Sequence, residues 1–230
     1  MKSENRIGKS EEISFQKNSK AGSLDKTFHF KGLTIENHPE VYEPAEDTFQ
    51  LIEAIEVNKG DTVLEIGTGC GIVALECARI GAEVICTDIN PNAIKLVKYN
   101  YQKNKPLLKG SIEIRYGDLF FILNKNERFD VIIFNPPYLP SSVKELVGGT
   151  GWFDIATDGG VDGLKLTKRF IEGLSKHLKK NGCAYFIFSS LSDRKKLNKY
   201  LNEAGLKSQI LISQWFNDEK IDIYCVSFMR

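Results

Sequence analysis

At 230 residues, 42% hydrophobic and 27% charged, the chain has the size and balance of one well-buried domain, and no apolar run in it approaches the length of a membrane span. A formal charge of +1 conceals a split, since residues 164–200 carry ten Lys or Arg against two acids, a local +8 that leaves −7 for the remainder. Five cysteines, Cys70, Cys77, Cys86, Cys183 and Cys225, are odd in number and form no C-x-x-C pair, which argues for reduced core thiols and against a metal site.

Residues 1–25 are polar and charged without the apolar core of a secretory signal, and read as the disordered tail of a cytoplasmic protein. An N-terminal arm follows over 26–40, in which 28–35 alternate weakly, as a short strand or hairpin would, before His38-Pro39. The main domain is expected over 41–230. It opens with Val41-Tyr42-Glu43-Pro44-Ala45-Glu46-Asp47-Thr48, after which Phe49, Leu51, Ile52 and Ile55 recur at helical spacing. Asp47 or Thr48 begins that helix, as a cap or, for Thr48, as a helix start whose N–H groups suit a carboxylate ligand.

Residues 61–66 are an apolar strand that runs through Glu65 into Gly67, Gly69 and Gly71, and then into a helical pattern at Ile72, Leu75, Ala78 and Arg79. Alternating glycines let the backbone reverse and approach a ligand closely. Their spacing is G-x-G-x-G and not the G-x-G-x-x-G of dinucleotide sites, and the acid two residues earlier suits a ligand with a cationic amino-acid moiety. A second strand, 83–88, ends at Asp88, where a doubly wound sheet sets a carboxylate against a ribose diol. Asn90-Pro91 opens a helix through Ala93, Leu96, Val97 and Asn100. The third strand, 111–116, is followed by Asp118 and Leu119, and Asp118 is suited to accept from an aminopurine. A fourth, Val131-Ile132-Ile133-Phe134, stops at Asn135-Pro136-Pro137-Tyr138. Four strands in strand–helix alternation that end in Glu65, Asp88, Asp118 and Asn135 describe a parallel sheet whose carboxyl edge is a binding crevice.

The two prolines make the fourth strand end stiff and rich in acceptors. The Asn135 amide oxygen and the Pro136 carbonyl can take both hydrogens of an incoming NH2 group, with the Tyr138 ring covering a flat substituent. Such a grip favours a pyramidal nitrogen with its lone pair aimed at an electrophile. A plain Pro-Pro turn after a core strand is the competing reading of these four residues.

Residues 139–163 read as a long glycine-rich loop. Leu164, Thr167, Phe170, Ile171, Leu174 and Leu178 then form an apolar stripe on a lysine-rich helix that Asn181-Gly182 would stop. A strand at 183–188, a basic helix over 192–204 and a hairpin of strands 209–213 and 221–228 around residues 215–218 complete the chain.

Together these motifs resemble those of the class I S-adenosylmethionine-dependent methyltransferases, which implies an α/β, Rossmann-like fold with a seven-stranded, mostly parallel sheet and an antiparallel last strand. Within that class, the octapeptide 41–48, the Asn135-Pro136-Pro137-Tyr138 motif and the turn at 159–163 are similar to those of the archaeal and eukaryotic branch of HemK-type release-factor glutamine methyltransferases. The resemblance implies S-adenosylmethionine as cofactor, with Thr48, Glu65 and Gly67 near its methionine moiety and Gly69 and Gly71 in the same turn. It implies Asp88 at the ribose, and Asp118 and Leu119 at the adenine. Asn135 and Pro136 would hold the substrate amide, with Pro137 and Tyr138 completing the seat. The implied substrate is the glutamine of the Gly-Gly-Gln loop of a class I translation release factor, and the implied partner is a small zinc-binding activator subunit, for which the edge strand 111–116 is the expected pairing site. Catalysis of this kind rests on positioning, because the N-methylated cation sheds its proton without a dedicated base. Alternatives from the residues themselves are methylation of an exocyclic amine of RNA or DNA, with the +8 segment tracking phosphates, or of a protein lysine. A non-catalytic binding protein and a nicotinamide oxidoreductase are further readings, the latter opposed by the glycine spacing.

Overall fold

The computed structural model of the chain describes residues 27–143 and 151–229, so the expected tail at 1–25 lies outside the described residues. Seven strands form the central sheet: β3 (Thr62–Ile66), β4 (Glu83–Asp88), β5 (Ser111–Tyr116), β6 (Phe129–Phe134), β7 (Leu178–Ser189), β8 (Leu206–Phe216) and β9 (Glu219–Phe228). Their spatial order is β5-β4-β3-β6-β7-β9-β8. Strands β3 to β7 pair in parallel and β9 is antiparallel to both β7 and β8, so six strands share one direction and β9 opposes them. This is the expected mostly parallel sheet with an antiparallel last strand.

The inner strands are continuous apolar runs because both their faces are covered. Along β6, Val131 and Ile133 enter one core with helices α1 (Glu46–Ala54), α2 (Ile72–Ile80) and α3 (Pro91–Asn104), whereas Phe129, Ile132 and Phe134 enter the other. That second core holds the buried faces of α5 (Lys165–His177) and α6 (Arg194–Glu203). Among the described residues no helix is long and apolar enough to cross a membrane.

The arm is a hairpin, β1 (Thr27–Phe30) against β2 (Leu33–Glu36), and its Phe28, Leu33 and Ile35 join the first core. Two buried amides of α3 fasten it. Asn104 exchanges a pair of 2.8 Å hydrogen bonds with the Thr34 main chain. Asn100 does the same with Glu36 at 3.0 and 3.1 Å, and also donates to the Cys70 carbonyl at 2.9 Å.

Three boundaries differ from the sequence reading. Helix α5 ends at His177, not at Asn181-Gly182, because the His177 ring stacks on Phe120 and the next residue, Leu178, is buried opposite Phe129 in β7. Asn181-Gly182 belongs instead to the irregularity where the register passes from Phe129 opposite Leu178 to Val131 opposite Cys183. The final hairpin is longer than expected: Trp215 and Phe216 lie in β8, and the turn is Asn217-Asp218, with Asn217 at φ 52°. Within the expected loop 139–163 stands a short helix, α4 (Gly151–Thr157), whose Trp152, Phe153 and Ile155 are obscured in sequence by the glycines around them; residues 144–150 lie outside the described residues.

Candidate active site

A cavity of about 330 Å³ opens over the carboxyl ends of β3, β4 and β6. Where β3 ends, the backbone reverses through the glycine turn into α2, with Thr68 N–H donating to the Thr87 carbonyl at 2.9 Å. Glu65 is buried, and its Oε2 accepts from Thr68 Oγ1 at 2.5 Å and from Ala74 N–H at 3.1 Å. Burial outweighs those bonds and pushes its carboxyl up to about 8. At the end of β4, Asp88 accepts from Gly69 N–H at 2.9 Å through Oδ2 and from Asn90 N–H at 2.8 Å through Oδ1, while burial again raises its pKa. Each oxygen is thus oriented by main chain yet keeps a lone pair for a hydroxyl group.

Beyond β5, Leu119 adopts φ 47°, rare for a branched residue, and its buried side chain lines the cavity next to Asp118. Asp118 also accepts from Arg169 of α5 at 2.6 Å, a partner 51 residues away.

The other half of the cavity is organised by Asp47, which is 4% exposed in the first turn of α1. Asn135 Nδ2 and the Tyr138 hydroxyl each donate to Asp47 Oδ2 at 3.1 Å. Tyr42 donates to both oxygens at 3.3 Å, and Thr48 N–H donates to Oδ1 at 2.6 Å. A carboxylate only accepts, so the amide edge of Asn135 that meets it must be NH2, which leaves Oδ1 as the free acceptor of that side chain. Burial and the Asp47 charge hold the Tyr138 phenol well above its ordinary pKa, so it stays a neutral donor. The main chain of the motif is pinned as well, since Ser192 Oγ donates to the Tyr138 carbonyl at 2.7 Å.

Of the residues expected to bind cofactor, Thr48, Glu65, Gly67, Gly69, Asp88, Asp118 and Leu119 all line this cavity. So do Asn135, Pro136, Pro137 and Tyr138, expected at the substrate. Gly71 stands behind the wall: it has φ +86°, and a Cβ there would meet Val97 Cγ2 at 2.4 Å, so its bareness serves the packing of α2 on α3. The sequence reading missed Asp47, taken there as a cap; Ala45 is the residue that precedes the helix, and the Asp47 carboxylate reaches Asn135, just past the end of β6, instead. It also missed Glu219 at the start of β9 and Trp152 and Phe153 of α4, all in the cavity wall. Aromatic residues clustered in a glycine-rich stretch were the available signal for α4; for Glu219 there was none.

Residues 32–147 match the methyltransferase small domain family. A Methanocaldococcus jannaschii chain, named by inference as a protein N5-glutamine methyltransferase, is 39% identical over 78% of this chain and 88% of its own length. Methyltransferase HEMK2 of Homo sapiens is 29% identical over 80% of this chain and 88% of its own. Among solved structures, the E. cuniculi Mtq2-Trm112 complex, described as responsible for methylation of the eRF1 translation termination factor, superposes with a TM-score of 0.64 at 26% identity over 83% of this chain and 99% of that one. The fold, the strand-end acids and these likenesses agree: the chain belongs to the methyltransferase small domain family, among the HemK-type protein-glutamine methyltransferases.

Proposed function

We propose that this chain methylates the side-chain nitrogen of a glutamine in the Gly-Gly-Gln loop of a class I translation release factor, with S-adenosylmethionine as methyl donor. The donor set of the cavity fits that cofactor: Asp88 offers two oriented oxygens for a diol, Glu65 offers a buried carboxyl to a cationic moiety, and Gly67 carries the wall through a turn at φ +67° that disfavours any side chain. When bound, S-adenosylmethionine supplies an electrophilic methyl group. Thr48, Gly69, Asp118 and Leu119 would complete its enclosure.

The observation that carries the reading is the bond from Asn135 Nδ2 to Asp47, because it reserves Asn135 Oδ1 for an NH2 donor. With the Pro136 carbonyl as second acceptor, the seat takes both hydrogens of a planar amide and turns its lone pair toward the cofactor side. Pro137 and Tyr138 bound the amide on its remaining side. Of the acids around the cavity, Asp47, Asp88 and Glu219 favour a neutral substrate over a phosphate-bearing one, while Asp118 is paired with Arg169 and burial favours the protonated form of Glu65.

A small activator subunit is proposed to pair with β5. That strand is a sheet edge, with Tyr116 exposed at its end and Tyr99 and Leu107 exposed on and just after the adjoining α3. The E. cuniculi relative is described as a complex with a second protein, Trm112. Action on translation factors sets the chain in the cytoplasm.

The test is methyl-labelled S-adenosylmethionine offered, with the activator, to release factor, its Gln→Ala variant, histone and DNA. Label on the release factor that vanishes with Gln→Ala is expected. Label confined to DNA or to lysine would replace the substrate and leave the methyltransferase assignment standing.

A further inference from the structure

We propose that Glu219 recognises the substrate beside the methylated amide, its carboxylate accepting an N–H donor from the flanking segment. This rests on the amide-substrate reading above and names a residue for it.

Glu219 opens β9 directly after the Asn217-Asp218 turn and lines the same cavity as Asn135 and Tyr138. Its Oε1 is shut off from water and has no hydrogen-bond partner among the described residues. A buried carboxylate oxygen left in that state is costly, so a complex that brings a donor to it is favoured over one that does not. Tyr138, Gln50 and Lys220 direct their side-chain donors elsewhere. The Tyr138 hydroxyl is given to Asp47, the Gln50 amide to Gln214 at 2.6 Å, and the Lys220 ammonium lies 3.7 Å from Asp222.

Sheet order says which ligand supplies the donor. Asp88 ends β4, two strands to one side of β6, and Glu219 begins β9, two strands to the other side. Asn135 stands between them, and at about 4.8 Å per strand the lateral offset on each side is about 10 Å. The cofactor half is therefore remote from Glu219. Register also carries Glu219 outward: Ile221 pairs with Ser189, the last residue of β7, so Glu219 lies beyond the end of that strand, in the cavity wall. A chain that inserts one amide to reach Asn135 would run along the wall that Glu219 helps to form. Asparagine and tyrosine grip the amide itself, and Glu219 reads what flanks it.

The donor is either a main-chain N–H or a cationic side chain of the substrate, and one experiment separates them. Full-length wild type, Glu219→Gln and Glu219→Ala are compared with the activator present, on release factor and on variants in which each Lys or Arg flanking the loop is replaced by Gln. In Glu219→Ala the KM for release factor should rise about tenfold or more, with kcat within about twofold and S-adenosylhomocysteine affinity unchanged. Glu219→Gln, which keeps an acceptor oxygen, should retain most of the affinity if the donor is main chain. It should match Glu219→Ala if the donor is cationic, and one substrate variant should then erase the difference between the enzymes. Wild-type methylation with an unchanged KM in Glu219→Ala overturns this role alone, as does a parallel loss of S-adenosylhomocysteine binding, which would mark a structural defect. Absence of label on release factor with the wild type defeats the substrate reading, and this inference with it.

Discussion

On the β3 and β4 side of the cavity each carboxylate is fastened by groups that lie within 19 residues of it, most of them main-chain N–H: Glu65 by the Thr68 hydroxyl and Ala74 N–H, Asp88 by Gly69 and Asn90 N–H. On the Asn135 side the fastening is by side chains from far away, with Asp47 meeting Asn135 and Tyr138 across 88 and 91 residues. A backbone-built site forms with its own loop, whereas a side-chain-built one exists only after α1 docks on the sheet. The cofactor half should therefore tolerate changes in the amide seat, and the reverse should hold too.

The largest break in that comparison is Asn135→Ala, which should cut kcat by about 100- to 1000-fold while S-adenosylhomocysteine binding persists. Turnover close to wild type in single-turnover assays would remove the amide seat from the mechanism. Next comes Asp47→Ala, which touches no reacting atom but frees Asn135 to rotate, for a loss of about 10- to 100-fold in kcat. Asp47→Asn should recover part of that loss, and Asp47→Ala added to Asn135→Ala should cost little more, since the two act as one unit. Additive losses would deny the coupling.

Asp88→Ala probes the opposite half, with an expected loss of roughly 1 to 3 kcal/mol in S-adenosylhomocysteine affinity and little change in kcat at saturation, read by calorimetry. The most gradual effect is on pH. The folded pKa of Glu65, about 8, lies above the ordinary carboxylate value of 4.5, so the folded state holds a proton that the unfolded state releases. The associated stability is complete below about pH 4.5 and is lost as pH rises through about 8. Between pH 5 and 7.5, wild type should lose about 1 kcal/mol per pH unit relative to Glu65→Gln, measured by denaturant titration without ligand. Parallel curves for the two proteins would show that Glu65 is ionised throughout.

The same division explains what could be read in advance. Strand ends at Glu65, Asp88 and Asn135 were legible because each acid or amide closes a local apolar run, and the sheet followed from their alternation with helices. Asp47 was not legible as a ligand of Asn135, since within its own octapeptide it looks like any helix start. Gly71 shows the converse: a residue read as unable to carry a side chain, whose constraint in the structure comes from Val97 of another helix. Glu219 and Arg169 owe their positions to strand order and to a helix packed on the far face, which no local pattern encodes. The end of α5 at His177 was missed because Leu178, the last member of its apolar stripe, is claimed by the sheet.

The two asparagines of α3 have a consequence for where this protein can be cut. By exchanging paired bonds with the Thr34 and Glu36 main chain, Asn100 and Asn104 act as a counterfeit strand, completing the ladder of β2 from a helix. A chain shortened to begin at residue 41 would strip both amides of their β2 partners, leaving Asn100 with the Cys70 carbonyl in the glycine turn and nothing across from it. The smallest transplantable catalytic unit accordingly starts upstream of the hairpin, and the arm is a keystone of the cofactor loop.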